Sequence, residues 1–154
     1  MKKSLFIILF CGSLLICGQS VQAQESTFGI GAIINSPTGL SVKAFVSEDI
    51  AIDGAFSVSL DQNFSQIYLH GDVLQHSDAI ESDILQLYYG LGIRLVWDDR
   101  TDDLNAGLRG PIGTEYTFED TNLRSFIEIV PTLEFSPDAR FFFAGAVGMR
   151  VYLN

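Results

Sequence analysis

The groups in this chain that could do chemistry are two histidines, several serines and a set of charges spread along extended segments. His70 and Asp72 are two residues apart, a spacing that puts both side chains on one face of a strand. With a hydroxyl from Ser57, Ser59 or Ser65 they could supply the base, the orienting acid and the nucleophile of a hydrolase. Nothing in the sequence gathers the three in one place, so a buried, hydrogen-bonded His70 is the simpler reading. His76 falls in a polar stretch read as a turn. No catalytic residue is assigned. Asp98-Asp99-Arg100-Thr101-Asp102-Asp103 is an acidic loop, and clustered carboxylates suit hard cations such as calcium. It lacks the spacing and the glycine of a calcium-binding helix–loop–helix, so it reads as a solvated loop that discourages aggregation. No cysteine–histidine cluster suggests zinc. No metal or other cofactor is expected.

Three glycine–arginine steps recur: Gly92-Ile93-Arg94, Gly107-Leu108-Arg109 and Gly148-Met149-Arg150. A phosphate-cradling glycine loop needs a helix behind the glycines, and none is visible. In a strand the glycine and the arginine share a face, and the glycine makes room for the guanidinium.

The elements that must hold these groups have a period of two. From Leu85 to Trp97 every second residue is apolar: Leu85, Leu87, Tyr89, Leu91, Ile93, Leu95 and Trp97. The interleaved set is Gln86, Tyr88, Gly90, Gly92, Arg94 and Val96. Such alternation marks a strand, and its length suits the roughly 9–11 residues of a tilted strand crossing a membrane. Similar segments run over Thr27–Ile34, Gly39–Ser47, Ile50–Leu60, Phe64–Leu74, Ile84–Trp97, Leu104–Phe118, Ser125–Phe135 and Arg140–Leu153, which makes eight. A polar link, Gln75–Asp83, separates the fourth from the fifth.

In this register the charges within strands are Lys43, Asp53, Asp72, Arg94, Arg109, Glu115, Glu128, Glu134 and Arg150. None interrupts an apolar face. They form a nearly balanced interior charge network, with four cations against five acids. A charge facing lipid near the bilayer centre costs roughly 2–4 kcal/mol for Arg or Lys, which accounts for one-sided placement. Aromatic residues cluster at the segment ends as a girdle would, with Phe28, Tyr116 and Phe118 at one rim and Trp97, Phe135 and Phe141 at the other. A soluble sandwich also alternates, with its apolar face inward, but its strands are normally shorter and rarely place Arg or Glu regularly in every late strand.

Residues 1–23 read as a cleaved secretory signal peptide. Lys2 and Lys3 precede an apolar run from Leu5 to Ile16, and Val21-Gln22-Ala23 offers a cleavage site. Cys11 and Cys17 both lie within it, so the chain after Ala23 has no thiol and needs no disulfide. Without Lys2 and Lys3, seven basic residues face nineteen acidic ones, a net charge of −12. That excludes nucleic acid as the expected partner, since it requires basic surface.

Three stretches resemble the small eight-stranded outer-membrane barrels of the OmpA/OmpX type: Leu87 to Leu95, Gly107 to Tyr116, and Gly145 to Tyr152. The resemblance runs from about Phe28 to the C-terminus. It implies an all-β fold, an eight-stranded antiparallel up-and-down transmembrane β-barrel spanning 24–154 in the outer membrane. Its partners would be outer-membrane lipid and the barrel-assembly machinery. Such chains usually end in an aromatic residue; here Tyr152 is followed by Leu153-Asn154. With both termini periplasmic, Arg94, Arg109 and Glu134 fall towards the outer end, and Glu115, Glu128 and Arg150 towards the periplasm. An eight-stranded barrel is narrow enough for side chains to fill. Arg150 is therefore expected to compensate Glu115 and Glu128. The expected role is a small structural or surface-interaction scaffold with a plugged lumen, not a porin and not an enzyme. Two alternatives are a lipid-modifying enzyme, since small barrels include lipid A deacylases and palmitoyltransferases, and a soluble periplasmic ligand binder, whose interior would be apolar.

Overall fold

The computed structural model describes residues 28–61, 64–77, 79–80, 82, 84–99 and 103–153, with backbone only at 60, 61 and 64. The expected export segment and residues 100–102 of the acidic loop lie outside the described residues. Nine strands follow one another: β1 (Phe28–Ile34), β2 (Gly39–Phe45), β3 (Ile50–Asp61), β4 (Phe64–Ser77), β5 (Leu85–Asp98), β6 (Asp103–Arg109), β7 (Ile112–Thr117), β8 (Leu123–Ser136) and β9 (Arg140–Leu153). They form one antiparallel sheet, and pairing of β1 with β9 closes it into a ring of eight.

Nine strands make eight positions because β6 and β7 share one. On β5 the register runs from Gly92↔Arg109 to Tyr89↔Ile112 without a shift. On β8 it runs from Arg109↔Thr132 to Ile112↔Ile129. The expected single strand Leu104–Phe118 is interrupted at Gly110-Pro111, because proline has no N–H to give the ladder. Two bonds bridge the gap: Gly90 N–H donates to the Pro111 carbonyl at 2.8 Å, and Gly110 N–H to the Pro131 carbonyl at 2.9 Å. A second correction concerns the polar link. β4 runs on through Ser77, so Gln75, His76 and Ser77 belong to a strand. Asp98 also ends β5, paired with Asp103, and is buried.

The turns are short and chemically specified. Asn35 has φ 95°, a left-handed conformation that asparagine tolerates. Its N–H donates to Thr38 Oγ1 at 3.0 Å, and its Nδ2 to the Gly145 carbonyl at 2.6 Å, tying the β1–β2 turn to β9.

Alternation decides what faces where. Among the described residues thirty large apolar side chains are exposed, and every one sits at an outward position. No charged residue occupies an outward strand position among them. Inside the ring Ile33, Leu74, Tyr88, Phe126, Val130 and Tyr152 are buried beside small Ala51, Ala55 and Ala146. The aromatic residues at the rims follow the same rule. Phe28, Tyr116, Trp97, Phe135 and Phe141 are exposed, and Phe118 packs edge-on against Tyr116 with ring centres 5.0 Å apart.

Candidate functional site: the charged interior

Nearly every strand sends a charge inward. Lys43 comes from β2, Asp53 from β3, Asp72 from β4, Arg94 from β5, Arg109 from β6, Glu115 from β7, Glu128 and Glu134 from β8, and Arg150 from β9. All but Arg94 are buried. They sort into three levels along the ring. The level nearest the start of β1 and the end of β9 centres on Glu115, which takes a hydrogen bond from Lys43 Nζ at 2.9 Å and from Arg124 Nη1 at 3.2 Å. The Tyr152 hydroxyl donates to it as well, at 3.2 Å.

The middle level is built on two guanidinium groups. Arg150 donates from Nη2 to Asp53 Oδ1 at 2.6 Å and from Nε to Ser41 Oγ at 2.9 Å. Its Nη1 lies 3.6 Å from Glu115 Oε2, and its guanidinium carbon sits 3.9 Å from the centre of the Phe126 ring. Arg109 donates from Nη2 to Glu128 Oε1 at 3.1 Å, and its Nε is 3.0 Å from Asp72 Oδ1. Tyr88 completes Glu128 with a hydroxyl bond of 3.0 Å. The third level, at the opposite end, holds Glu134 between Arg94 at 3.4 Å and Arg140 at 3.1 Å. Both guanidinium groups also lie over the Phe142 ring, at 5.2 and 5.0 Å.

The partners differ from the expectation in one respect. Glu128 belongs to Arg109 and Tyr88, not to Arg150, whose acid is Asp53. The arithmetic of desolvation makes this matter, because buried charges are tolerated only when paired and hydrogen-bonded. Sequence reasoning also missed Arg124, Arg140, Tyr88 and Tyr152 as members of the network. All four are at inward positions, and the alternation itself was the available signal.

The glycine–arginine steps have a more specific reason than room for the arginine. A side chain at Gly92 would meet the carboxylate of Asp72, the partner of Arg109. One at Gly148 would strike the Phe126 ring on which Arg150 rests. Two further inward glycines repeat the device, each directly across from a tyrosine: Gly29 opposite Tyr152 and Gly113 opposite Tyr88. Filling one such seat should cost about 1–3 kcal/mol by overpacking. Gly148→Val should show that loss in denaturant unfolding, while Gly71→Val, at an outward glycine with no atom nearer than 4.0 Å, should show little.

Asp53, His70 and Asp72 bring one ligand-type atom each within 4.8 Å of one another. Cation binding there does not fit the surroundings. Arg109 Nη1 is 2.6 Å from His70 Nδ1, and a guanidinium can only donate. Nδ1 must accept, so the hydrogen of the neutral ring is on Nε2, which then has no lone pair for a metal. Guanidinium groups already stand against both carboxylates, Arg150 on Asp53 and Arg109 on Asp72. The same contact occupies the nitrogen through which His70 would act as a base. Ser57, one of the hydroxyls considered with it, donates to the Thr38 carbonyl at 2.6 Å. His76, expected in a turn, is inward on β4 and bonded to Lys43.

The geometry defines a class: an all-β closed ring with an apolar exterior and an ion-paired, hydrogen-bonded interior. No protein-family model, curated protein or solved structure matches the chain.

Proposed function

We propose that this chain is a small integral outer-membrane β-barrel whose ion-paired lumen is plugged, and that it serves as a structural or surface-interaction scaffold rather than a pore or an enzyme. The observation that carries the reading is the sorting of the thirty exposed apolar side chains to the outward face, with the strand charges inward. In water that arrangement would leave a very large apolar surface uncovered, far beyond the few hundred Å² of a soluble monomer's usual patch. In a bilayer it is the favourable one, because a closed ring satisfies its backbone internally and presents hydrocarbon to hydrocarbon. The rim aromatics suit the two membrane–water interfaces. A soluble ligand-binding barrel would need an apolar cavity where this ring holds Lys43, Arg109, Arg150 and their acids.

Two measurements test the proposal. Expressed protein should fractionate with outer membranes and migrate faster on an unheated gel than on a boiled one. Recovery in the soluble periplasmic fraction would overturn the membrane setting. Refolded into a planar bilayer, it should give no steady openings of porin size, and such openings would overturn the plugged lumen.

A further inference from the structure

β1 and β2 are shorter than the strands on either side of them. Their last pairs are Ile34↔Val147 with β9 and Leu40↔Phe56 with β3. Beyond those rows β9 reaches back to Arg140 and β3 runs on to Asp61, with no strand between them among the described residues. The wall therefore has a notch at the mouth away from the start of β1, two strand positions wide. Its floor is the β1–β2 turn. Asn35 Nδ2 pins that turn to the Gly145 carbonyl, and the Ser57 hydroxyl pins it through the Thr38 carbonyl, so the turn does not rise to fill the gap.

The notch has two strand edges. The Gly145 carbonyl points to the turn, so Gly145 presents its backbone groups on this side, and Phe143 and Phe141, at the same parity, do likewise. Ala144 and Phe142 face β8 instead, paired with Val130 and Thr132. Across the gap the Phe56 carbonyl faces Gly39, so Val58 points into the notch. Among the described residues Val58, Phe141 and Phe143 have no backbone partner on the notch side. Phe143 is the next outward residue inside the girdle's Phe141, and it is 69% exposed. In the proposed bilayer, on which this inference rests, its N–H and C=O stand where hydrocarbon cannot bond them. A fatty chain leaves them unsatisfied; an added strand pairs them.

Charge selects among peptides. On the inward side of the same edge, Arg94 and Arg140 lie over the Phe142 ring and share Glu134, two cations on one acid. Arg94 Nε is buried without an acceptor. A strand continuing the line of β1 sets its outward residues beside Phe143 and its inward ones beside Phe142. We propose that the notch is a docking site for an extended segment of a partner protein, antiparallel to β9, apolar at outward positions and acidic at inward ones.

Proline reads the edge itself, since it is tolerated where a strand N–H has no partner. Phe143→Pro should fold with the yield of Phe143→Leu, whereas Ala144→Pro, whose N–H faces β8, should fold far less. Failure of Phe143→Pro beside a folded Phe143→Leu would show that N–H already paired and would overturn the open edge. The docking probe is a short peptide of alternating valine and glutamate, added to the refolded, isotope-labelled protein in lipid discs. The expected NMR result is amide shifts centred on Phe141 to Gly145, with direct proton contacts between the peptide backbone and the Phe143 N–H. Binding should be about ten-fold weaker for a valine–lysine peptide and for Phe143→Pro. No shift at Phe143 or equal binding of the lysine peptide would overturn the proposal. So would the same shifts on concentrating the protein without peptide, which would make a second copy the occupant. The proline comparison reads the same in detergent, so it can fail while fractionation succeeds, and the reverse.

Discussion

Replacing Arg150 with leucine should destabilise the folded ring by about 3–5 kcal/mol, the loss expected when one partner of a buried ion pair is removed. Arg150 is 1% exposed, and its removal strands Asp53, whose bond from Nη2 is the shorter of its two acid contacts. Glu115 suffers less, because Lys43 and Arg124 remain on it. The diagnostic result lies in the double variants. Arg150→Leu with Asp53→Leu should recover most of the loss, since no charge is left unpaired. Arg150→Leu with Glu128→Leu should be worse than the single variant, because Arg109 then keeps only Asp72 of its two acids and Tyr88 loses its acceptor. Unfolding by denaturant in a fixed lipid or detergent medium measures all three. Recovery through Glu128 rather than Asp53 would contradict the pairing.

The second large effect is expected on the outside of the ring. Leu91 is 67% exposed. In a protein surrounded by water, Leu91→Arg would change stability by no more than about 0.5 kcal/mol, as most surface substitutions do. Facing hydrocarbon, the same change should cost about 2–4 kcal/mol and hinder folding into vesicles. Ser47→Arg, in the exposed β2–β3 turn, is the control and should fold as wild type does. Equal folding yields for the two variants would point away from the bilayer.

The strand plan was legible because lipid or core on one side leaves a period of two that few substitutions can break. Leu85 to Trp97 alone fixes which residues face which way, and the inward set Lys43, Asp53, Asp72, Arg94, Arg109, Glu115, Glu128, Glu134 and Arg150 follows from the same count. What the period cannot reveal is which charge meets which. Arg150 and Asp53 are nearly a hundred residues apart, and their meeting depends on the stagger of strands that are not neighbours. Arg150 and Glu128 sit on adjacent strands, yet the register sets Arg150 beside Arg124 and Glu128 beside Ala146. His76 was hidden for a local reason. Gln75 and Ser77 leave the apolar band, so the alternation lapses while the strand continues. Pro111 misled in the opposite sense, since the alternation carries through a residue that has no N–H to donate to the ladder. The glycine seats opposite Tyr88, Phe126 and Tyr152 become visible only once cross-strand partners are known.

The most direct measurement of the central claim is the collision rate of single spin labels with oxygen and with a water-soluble nickel complex. Labels at Leu91, Ile93, Ile129 and Val147, all outward and exposed, are compared with labels at Ser47 and Asp138 in the turns. In lipid, the four wall sites should favour oxygen and the two turn sites should favour nickel. Wall sites as open to nickel as the turns would contradict a ring whose outer face meets hydrocarbon.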